Sequence, residues 1–587
     1  MFRMVTAAMM LAMLATGLVT AAAAQTIYPL NRAQILAGAR FDLKVEFPGS
    51  PAPADIKVTI NGEDAGKMLG LPAETITRED GLDHTAYWIR GAQLTGSGKY
   101  LVEATDGRGQ ARVEWEAFTT PEGRLAKNVI LLIGDGMSMA HRTAARMLSK
   151  GIVEGRYGGE LAMDDMPYMA LVSTSGTDSI VTDSANAMTA YTTGHKSCVN
   201  ALGVYCALNR STLGHPNIET IAEVAKRRLG LAVGVVTDTE IEDATPAGLV
   251  AHTRRRTDYD DIVRMFYAVQ PEVIMGGGTP NFLPASDPRG KRADNENYIQ
   301  KFEQAGYAFV ETATQLASAA ASPETRKLLG LFNDRNIDGA LDRKFLKKGT
   351  VGKFPDQPDL TDEMRAAIDV LSRSDNGFLL MVEAGRIDKY SHSIDWERAV
   401  YDTIMFDNVV QLAKDFAAKR NDTLIIVVPD HGHPVSIIGT YDDQAGTTLR
   451  ERLQTYASAK FPNYPAPNAE GYPPHVDVSR RLALVFAAFP DYCDAGEPHL
   501  EGENVPTSGA EGEKQVANEA YCQAGAARKI GNLPFFARSG VHSAEDVVLT
   551  AAGPGAEHLH GRIDNTQVFR AMAHALGLGA EAAQSRR

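Results

Sequence analysis

Positive charge, cysteine and long apolar runs are all scarce in this sequence. Lysine and arginine number 59 against 73 aspartates and glutamates, which leaves a formal net charge of −14. This deficit argues against nucleic acid and anionic membrane surfaces as partners, because both attract basic proteins. A small anionic substrate remains compatible, since a few local cations or metal ions can dominate the electrostatic field in a cleft.

Apolar runs long enough to cross a bilayer are missing beyond the N-terminus. The first 24 residues carry Arg3, an apolar stretch from Val5 to Val19 and three alanines before Gln25. This pattern is typical of a secretory signal peptide, and a retained membrane anchor is the alternative. The apolar stretch is short for a membrane span. We therefore predict cleavage and a periplasmic or secreted protein with no membrane span.

Only four cysteines are present, an even number that suits disulfide formation in an oxidising compartment. They allow three different pairings. Cys198 with Cys206, and Cys493 with Cys522, close the shortest loops, and we predict these two bridges. Their expected role is to brace surface loops, and no catalytic thiol is expected.

The 587 residues are enough for two or three structural units, and the sequence pattern changes near residue 123. Before that point, short segments such as Phe41–Phe47 alternate apolar and polar residues, and Asn-Gly or Asp-Gly pairs mark turns. We predict a small antiparallel β-sandwich at 25–122, an accessory module because it holds no chemical cluster. Residues 123–587 are the predicted catalytic domain, with an inserted crown or lid at 434–540.

Beyond residue 123, continuous apolar runs alternate with helical stretches. The runs are NVILLIGDG, LAVGVVTDTE, GFLLMVEAG, TLIIVVPDHGH and DVVLTAAGP. Such runs indicate strands buried on both faces, so the predicted fold class is α/β, with a mostly parallel central sheet and helices on both faces. Ligands bind such sheets beyond the carboxyl ends of the strands.

Ionisable residues lie at or near the ends of most of these runs. A separate segment places a serine at the start of a predicted helix. The segment Thr182–Gly194, TDSANAMTAYTTG, places Ser184 at the start of a helix, where it could be an N-cap or meet an anion. Mixed histidine and carboxylate ligands suit zinc, and oxygen ligands suit magnesium. The ionisable residues that the strand layout delivers to one edge of the sheet are Asp135, Glu383, Asp388, His392, Asp430, His431, His433 and His542.

With these residues beside TDSANAMTAYTTG, the chain resembles the alkaline phosphatases, metal-dependent phosphomonoesterases, from about Lys127 to Leu578. The resemblance implies that Ser184 is the nucleophile and forms a phosphoserine intermediate. It also implies two zinc ions and one magnesium ion. The implied ligands are Asp388, His392 and His542 for one zinc, Asp135, Asp430 and His431 for the other, and Asp135, Thr245 and Glu383 for magnesium.

The resemblance also implies a phosphate-binding arginine, Arg256, which Asp183 would orient. Asp243 would partner the third ion through water, Lys389 would reach the phosphate through water, and His433 would bond a ligand carboxylate. The Asp/Lys pair resembles the magnesium-preferring members of the family. The glycine-rich IMGGGTPNFL also matches, and we interpret it as a structural turn. The implied activity is hydrolysis of small phosphate monoesters, usually by a homodimer.

Other interpretations stay open at this point. A sulfatase needs a Cys-x-Pro-x-Arg segment, and Cys206–Arg210 has leucine at the proline position. A phosphodiesterase of the same superfamily would share two zinc ions, usually with a threonine nucleophile and no third metal. A phosphoglycerate mutase would be cytosolic, which the export signal contradicts. From a different class, a secreted, metal-stabilised binding protein would act through its β-sandwich and would tolerate Ser184→Ala.

Overall fold

The computed structural model describes residues 25–509 and 514–579. The predicted signal peptide, residues 1–24, lies outside this range, so its cleavage stays a prediction. Among the residues that the structure describes, no helix is both long enough and apolar enough to span a membrane.

Residues 26–118 form a small module of short strands around their own apolar core. Its elements are β1 (Thr26–Tyr28), β2 (Gln34–Leu36), β3 (Phe41–Pro48), β4 (Lys57–Ile60), β5 (Glu63–Asp64), α1 (Ala65–Leu69), β6 (Glu74–Thr77), β7 (His84–Ala92), β8 (Gly98–Thr105) and β9 (Gln110–Phe118). A four-stranded sheet, β1-β3-β7-β6, and a five-stranded sheet, β2-β9-β8-β4-β5, share one apolar cluster. The pairing is antiparallel except between β2 and β9.

The chain then alternates strands and helices as far as residue 428. The elements are β10 (Asn128–Gly134), α2 (Met139–Lys150), β11 (Ile152–Val153), β12 (Arg156–Tyr157), β13 (Tyr168–Ser173), α3 (Ser184–Thr193), α4 (Ile221–Leu229), β14 (Ala232–Glu240), α5 (Ala244–Ala247), α6 (Tyr259–Val269), β15 (Val273–Gly277), α7 (Tyr298–Gln304), β16 (Ala308–Val310), α8 (Ala313–Ala321), β17 (Leu328–Leu331), α9 (Leu360–Leu371), β18 (Phe378–Ala384), α10 (Arg386–His392), α11 (Trp396–Ala418) and β19 (Thr423–Val428).

The remaining part contains the predicted crown and the last strands of the main sheet. Its elements are β20 (Val435–Asp442), α12 (Leu449–Arg452), β21 (Leu453–Gln454), β22 (Arg480–Phe486), β23 (Tyr492–Asp494), β24 (Thr507–Ser508), β25 (Gln515–Val516), β26 (Ala527–Lys529), β27 (Val547–Ala552), β28 (Gly561–Asp564) and α13 (Thr566–Leu576). Strands β20, β21 and β22 form a small separate sheet. Both predicted disulfides, Cys198–Cys206 and Cys493–Cys522, are present.

Ten strands form the central sheet, in the order β16-β17-β15-β14-β18-β10-β19-β27-β13-β28. Neighbouring strands are parallel except for β27, which runs antiparallel to both β19 and β13. The predicted mostly parallel sheet is therefore confirmed. The reversed direction of β27 was not expected from its sequence. Because of it, the residues that precede β27 lie beside the end of β19.

The sheet has an apolar core on each face, as its continuous apolar strands require. Val129, Leu131 and Ile133 of β10 belong to one cluster, and Ile130 and Leu132 belong to the other. This alternation follows from the two-residue period of a strand. Helices α3, α4, α6 and α13 contribute to the first cluster, and α2, α9 and α11 contribute to the second. The result is a three-layer α/β fold.

Candidate active site

Helix α3 begins at Ser184, directly after a complete N-terminal cap. The Asp183 carboxylate accepts a hydrogen bond from the Asn186 backbone N–H, and the Asn186 side chain accepts one from the Asp183 N–H. Gly194 ends the helix in the left-handed conformation that glycine adopts freely. The N-cap role belongs to Asp183, so the buried Ser184 hydroxyl is not needed for capping. It lies where the helix start presents N–H groups and partial positive charge.

The strand ends bring distant parts of the chain to the same edge of the sheet. Ile133 of β10 pairs with Glu383 of β18 and with Val428 of β19, so the loops after these strands leave side by side. Asp135 lies in the first of these loops. His542 precedes β27 in sequence. Because β27 runs opposite to β19, the start of β27 lies at this edge as well.

One cluster of potential metal ligands lies against the serine. The ligand atoms of Asp135, Asp430 and His431 are within 4.8 Å of one another, and all three side chains are buried. His431 Nε2 is 3.3 Å from Asp135 Oδ1 and 3.3 Å from Asp430 Oδ2. Ser184 Oγ lies 3.3 Å from the same nitrogen. The serine is therefore a direct neighbour of this cluster.

A second cluster surrounds Asp388. Its carboxylate, His431, His433 and His542 offer ligand atoms within 4.8 Å of one another. Nε2 of His392 is 3.4 Å from Asp388 Oδ1 and 3.2 Å from His542 Nε2. His433 Nε2 is 2.7 Å from Asp388 Oδ1, so the predicted contact between His433 and a carboxylate is present. The structure thus brings together Asp388, His392 and His542, the predicted ligands of one zinc ion, with His433 beside them.

Backbone carbonyls orient two of these imidazole rings. His392 Nδ1 is 2.7 Å from the Gly540 oxygen, and His542 Nδ1 is 2.8 Å from the Thr182 oxygen. Each ring therefore turns its Nε2 toward Asp388. Such outer contacts fix the tautomer and direction of metal-binding histidines. Sequence reasoning missed both carbonyls, because a backbone oxygen leaves no signal in the residue type.

Thr245 and Glu383 both contact Asp135 of the first cluster. Thr245 Oγ1 donates a hydrogen bond to Asp135 Oδ2 at 3.4 Å. Glu383 Oε2 accepts hydrogen bonds from the hydroxyls of Thr237 and Thr239, the latter at 3.3 Å. Sequence reasoning also missed these two threonines. The polar end of the run LAVGVVTDTE was the signal that could have found them.

Several carboxylates and imidazoles are buried together in this region, and some of their polar atoms have no hydrogen-bond partner among the described residues. Within residues 25–509 and 514–579, Asp135 Oδ1, Asp430 Oδ2 and His431 Nδ1 have no hydrogen-bond partner. Burial raises the pKa of Asp135 well above its usual range, and the nearby Asp430 carboxylate raises it further. Burial also raises the pKa of Glu383. Buried carboxylates are costly unless a cation compensates them, so this donor set fits bound divalent ions.

Arg256 and Lys389 form the positive side of the site. Arg256 Nη1 donates to Asp183 Oδ2 at 3.3 Å, and Nη2 donates to Asp243 Oδ1 at 2.8 Å. Lys389 Nζ donates to Asp243 Oδ2 at 2.8 Å. Burial alone would raise the pKa of Asp243, but Lys389 and Arg256 hold it below its usual range. Asp243 therefore joins the two cations directly, a contact that the expected water-mediated role did not include.

Comparison with known proteins points to one family. The sequence model of the alkaline phosphatase family matches residues 126–578. The chain belongs to the alkaline phosphatase family. The alkaline phosphatase of Gadus morhua is 30% identical over 489 residues, which cover 77% of this chain and 92% of that protein. The Escherichia coli (strain K12) alkaline phosphatase is 33% identical over 363 residues, which cover 55% of this chain and 74% of that protein.

Solved alkaline phosphatase structures share the fold. The Thermus thermophilus enzyme aligns with a TM-score of 0.56 at 26% identity and covers 78% of this chain and 93% of its own. The enzyme of the Antarctic bacterium TAB5 aligns with a TM-score of 0.53 at 22% identity, covering 77% and 98%. Alkaline phosphatases are metal-dependent phosphoric monoester hydrolases, so this chain is an enzyme of that class. The family expected from the sequence is confirmed.

Proposed function

We propose that this alkaline phosphatase hydrolyses phosphate monoesters to an alcohol and inorganic phosphate through a covalent phosphoserine on Ser184. One observation carries the proposal. Ser184 Oγ lies at the start of α3 and 3.3 Å from His431 Nε2, beside the buried carboxylates of Asp135 and Asp430, each of which has one oxygen without a hydrogen-bond partner in the described part of the chain.

The donor set supports two zinc ions and one magnesium ion, because imidazole and carboxylate ligands suit zinc and oxygen ligands suit magnesium. When bound, such ions supply Lewis-acid charge that favours deprotonation of hydroxyl groups and stabilises negative oxygens. The Asp243 and Lys389 pair supports magnesium at the third position. The proposed ligands are Asp388, His392 and His542 for one zinc, Asp135, Asp430 and His431 for the other, and Asp135, Thr245 and Glu383 for magnesium.

Ser184 is the proposed nucleophile in the first step. Its Oγ gives up its proton to solvent and forms a bond to phosphorus as the bond between phosphorus and the leaving oxygen breaks, and the leaving oxygen takes a proton from water and departs as the alcohol. The N–H groups at the start of α3 have no partners within the helix and favour the anionic phosphate oxygens. In the second step water attacks the phosphoserine. That step releases inorganic phosphate and returns a proton to Ser184 Oγ.

Arg256 is the proposed phosphate clamp. A guanidinium can donate to two phosphate oxygens at once, which an ammonium group cannot do. Asp183 and Asp243 accept hydrogen bonds from its two different terminal nitrogens and so fix its plane. Lys389 adds a second positive charge, held by Asp243. Because these groups recognise phosphate and little of the alcohol, we propose broad specificity for small-molecule monoesters.

The proposal extends to the organisation of the chain. Residues 25–122 are the proposed accessory module, 123–587 the catalytic domain and 434–540 its crown. Two disulfides support export to the periplasm or the medium, since disulfides persist in oxidising compartments. We also propose a homodimer, which light scattering of the mature protein would detect.

The direct test is Ser184→Ala. We expect kcat for a nitrophenyl phosphate to fall at least about 10³-fold, since no other group supplies the nucleophile. Circular dichroism and bound metal should match the parent enzyme. Ser436→Ala, at an exposed serine of β20, is the control and should keep full activity. A folded, metal-loaded Ser184→Ala enzyme with normal turnover would refute the proposal. A strong preference for the bis ester over the monoester would replace it with a phosphodiesterase.

A further inference from the structure

The N-terminal module lies against residues 198–219, which we call the disulfide segment because the Cys198–Cys206 bridge lies within it. Phe41 of β3 pairs with Ile218, and the Asp42 N–H donates to the Asn217 oxygen at 2.9 Å. The Tyr28 hydroxyl donates to the Cys206 oxygen at 3.0 Å. The module and the segment are therefore joined by backbone as well as side-chain contacts.

Three carboxylates of the module accept hydrogen bonds from backbone N–H groups of the disulfide segment. Charged acceptors make such bonds stronger than neutral ones. The contacts are Asp80 Oδ2 with Arg210 N at 2.6 Å and Ser211 N at 3.1 Å, Glu46 Oε1 with Leu208 N at 2.6 Å, and Asp42 Oδ2 with Asn217 N at 3.1 Å.

Two of these carboxylates, Asp42 and Glu46, are buried and make further contacts within the module. Asp42 is 5% exposed and also accepts from the Gly91 N–H at 2.8 Å. Glu46 is 3% exposed and pairs with Lys44, which is fully buried, at 3.0 Å. Lys44 also pairs with Glu79 at 2.8 Å. Removing one member of the group Lys44, Glu46 and Glu79 would leave another charge buried without a partner, which is costly. These ion pairs therefore hold the side chains in one arrangement.

The disulfide segment in turn contacts both Arg256, the proposed phosphate clamp, and Asp183, which accepts a hydrogen bond from that arginine. The Asn200 N–H donates to Asp183 Oδ2 at 3.1 Å, and the Asn200 oxygen accepts from the Arg256 N–H at 2.9 Å. Leu202 and Thr253 exchange both backbone hydrogen bonds, at 2.8 and 2.9 Å. A displacement of the segment would therefore move the Asp183 carboxylate and the Arg256 backbone together.

We propose that the N-terminal module positions the phosphate clamp. Its carboxylates hold the disulfide segment, and that segment holds Asp183 and Arg256. The inference rests on the proposed function, in which Arg256 binds the phosphate group. Tyr28 and Asp80 are then positioning residues, which act on the substrate only through the segment. Their loss should weaken phosphate binding more than it slows bond breaking.

Asp80 offers a matched pair of variants. Its φ of 55° is in the left-handed region, which glycine and asparagine both tolerate. Asp80→Gly removes the acceptor without backbone strain, and Asp80→Asn keeps an acceptor oxygen. We expect Asp80→Gly to raise KM for a nitrophenyl phosphate and Ki for inorganic phosphate in parallel, by about threefold to tenfold, with kcat within about twofold. Asp80→Asn should stay close to the parent enzyme.

A second route to the same test loosens the segment itself. The double variant Cys198→Ser/Cys206→Ser should raise KM and Ki in the same parallel way, with normal metal content and circular dichroism. Lys99→Ala is the control within the module. Lys99, on β8, forms an exposed ion pair with Glu114 on β9, and its loss should leave KM and Ki unchanged.

Parallel rises in KM and Ki support the inference. Unchanged KM and Ki in both Asp80→Gly and the folded double cysteine variant would overturn it, and so would a fall in kcat with Ki unchanged. A parent enzyme without phosphomonoesterase activity would instead refute the proposed function, so the two failures can be told apart.

Discussion

At the scale of single residues, Asp183 contacts elements of both the proposed nucleophile and the proposed phosphate clamp. Its Oδ1 accepts from the Asn186 N–H and so caps α3, which leaves the Ser184 hydroxyl without a structural task. Its Oδ2 accepts from Arg256 and from the Asn200 N–H. One carboxylate thereby fixes the position of the serine relative to the guanidinium.

Arg256→Lys should separate charge from geometry at the clamp. Lysine keeps the positive charge, but it cannot bond Asp183, Asp243 and two phosphate oxygens from one planar group. We expect KM and the Ki of inorganic phosphate to rise by about tenfold or more, with a smaller fall in kcat. Steady-state kinetics measure both. Arg255→Lys, at a neighbouring exposed arginine that pairs with Asp258, is the control. Equal kinetics in the two variants would exclude Arg256 as the clamp.

The predicted site residues that the structure brings together are those with distinctive side chains at the ends of apolar runs. Asp135, Asp430 and His431 follow such runs directly, so their convergence follows from parallel strands. The direct contact between Asp243 and Arg256 could not be predicted in this way, because it depends on the path of the loop between them. The carbonyls that orient His392 and His542 could not be predicted at all, since any residue type provides one.

At the scale of elements, strand direction was the hardest feature to predict. The apolar run of β27 looks like those of β10 and β19, yet it is antiparallel to β19. Burial requires the apolar pattern of β27 in either direction. The direction of β27 depends instead on the path of the chain between β19 and β27, through the proposed crown. Strand β13 was not predicted, although Tyr168–Val172 form a continuous apolar run, and in the structure its burial alternates along its length.

The crown also contacts the start of α11 through an ion pair. His499 Nδ1 lies 2.9 Å from Glu397 Oε2 in the first turn of that helix. Burial lowers the pKa of His499, but Glu397 outweighs this effect, and the pKa rises from 6.5 to about 9. Because the folded-state pKa is above the unfolded value, the pair stabilises the fold fully below the unfolded pKa. That stabilisation is lost as the pH rises through the folded-state value.

The raised pKa of His499 predicts that the free energy of unfolding depends on pH through this one side chain. Between about pH 7 and about pH 10, the free energy of unfolding should fall more in the parent than in His499→Gln, by at most about 3 kcal/mol. Denaturant melts at several pH values measure the difference. Parallel pH profiles in the two proteins would show that the ion pair contributes nothing.

At the scale of the whole molecule, the site is assembled from regions more than four hundred residues apart in sequence, from Asp135 to His542. The chain carries a net charge of −14, and at the centre of this convergence Asp135 and Asp430 each bury one carboxylate oxygen without a hydrogen-bond partner within residues 25–509 and 514–579. Bound cations would offset that repulsion, so metal binding and folding should be coupled. The fold class followed from the apolar runs, but the charge balance at the centre became visible only in three dimensions.

Metal content and activity, measured on the same preparation by mass spectrometry and by phosphomonoester turnover, test this assembly most directly. We expect two zinc ions and one magnesium ion per chain in the active enzyme. Chelation should abolish turnover and lower the melting temperature, and adding back zinc and magnesium should restore both. A chain stripped of all metal that kept full activity would contradict the proposed role of the buried ligands.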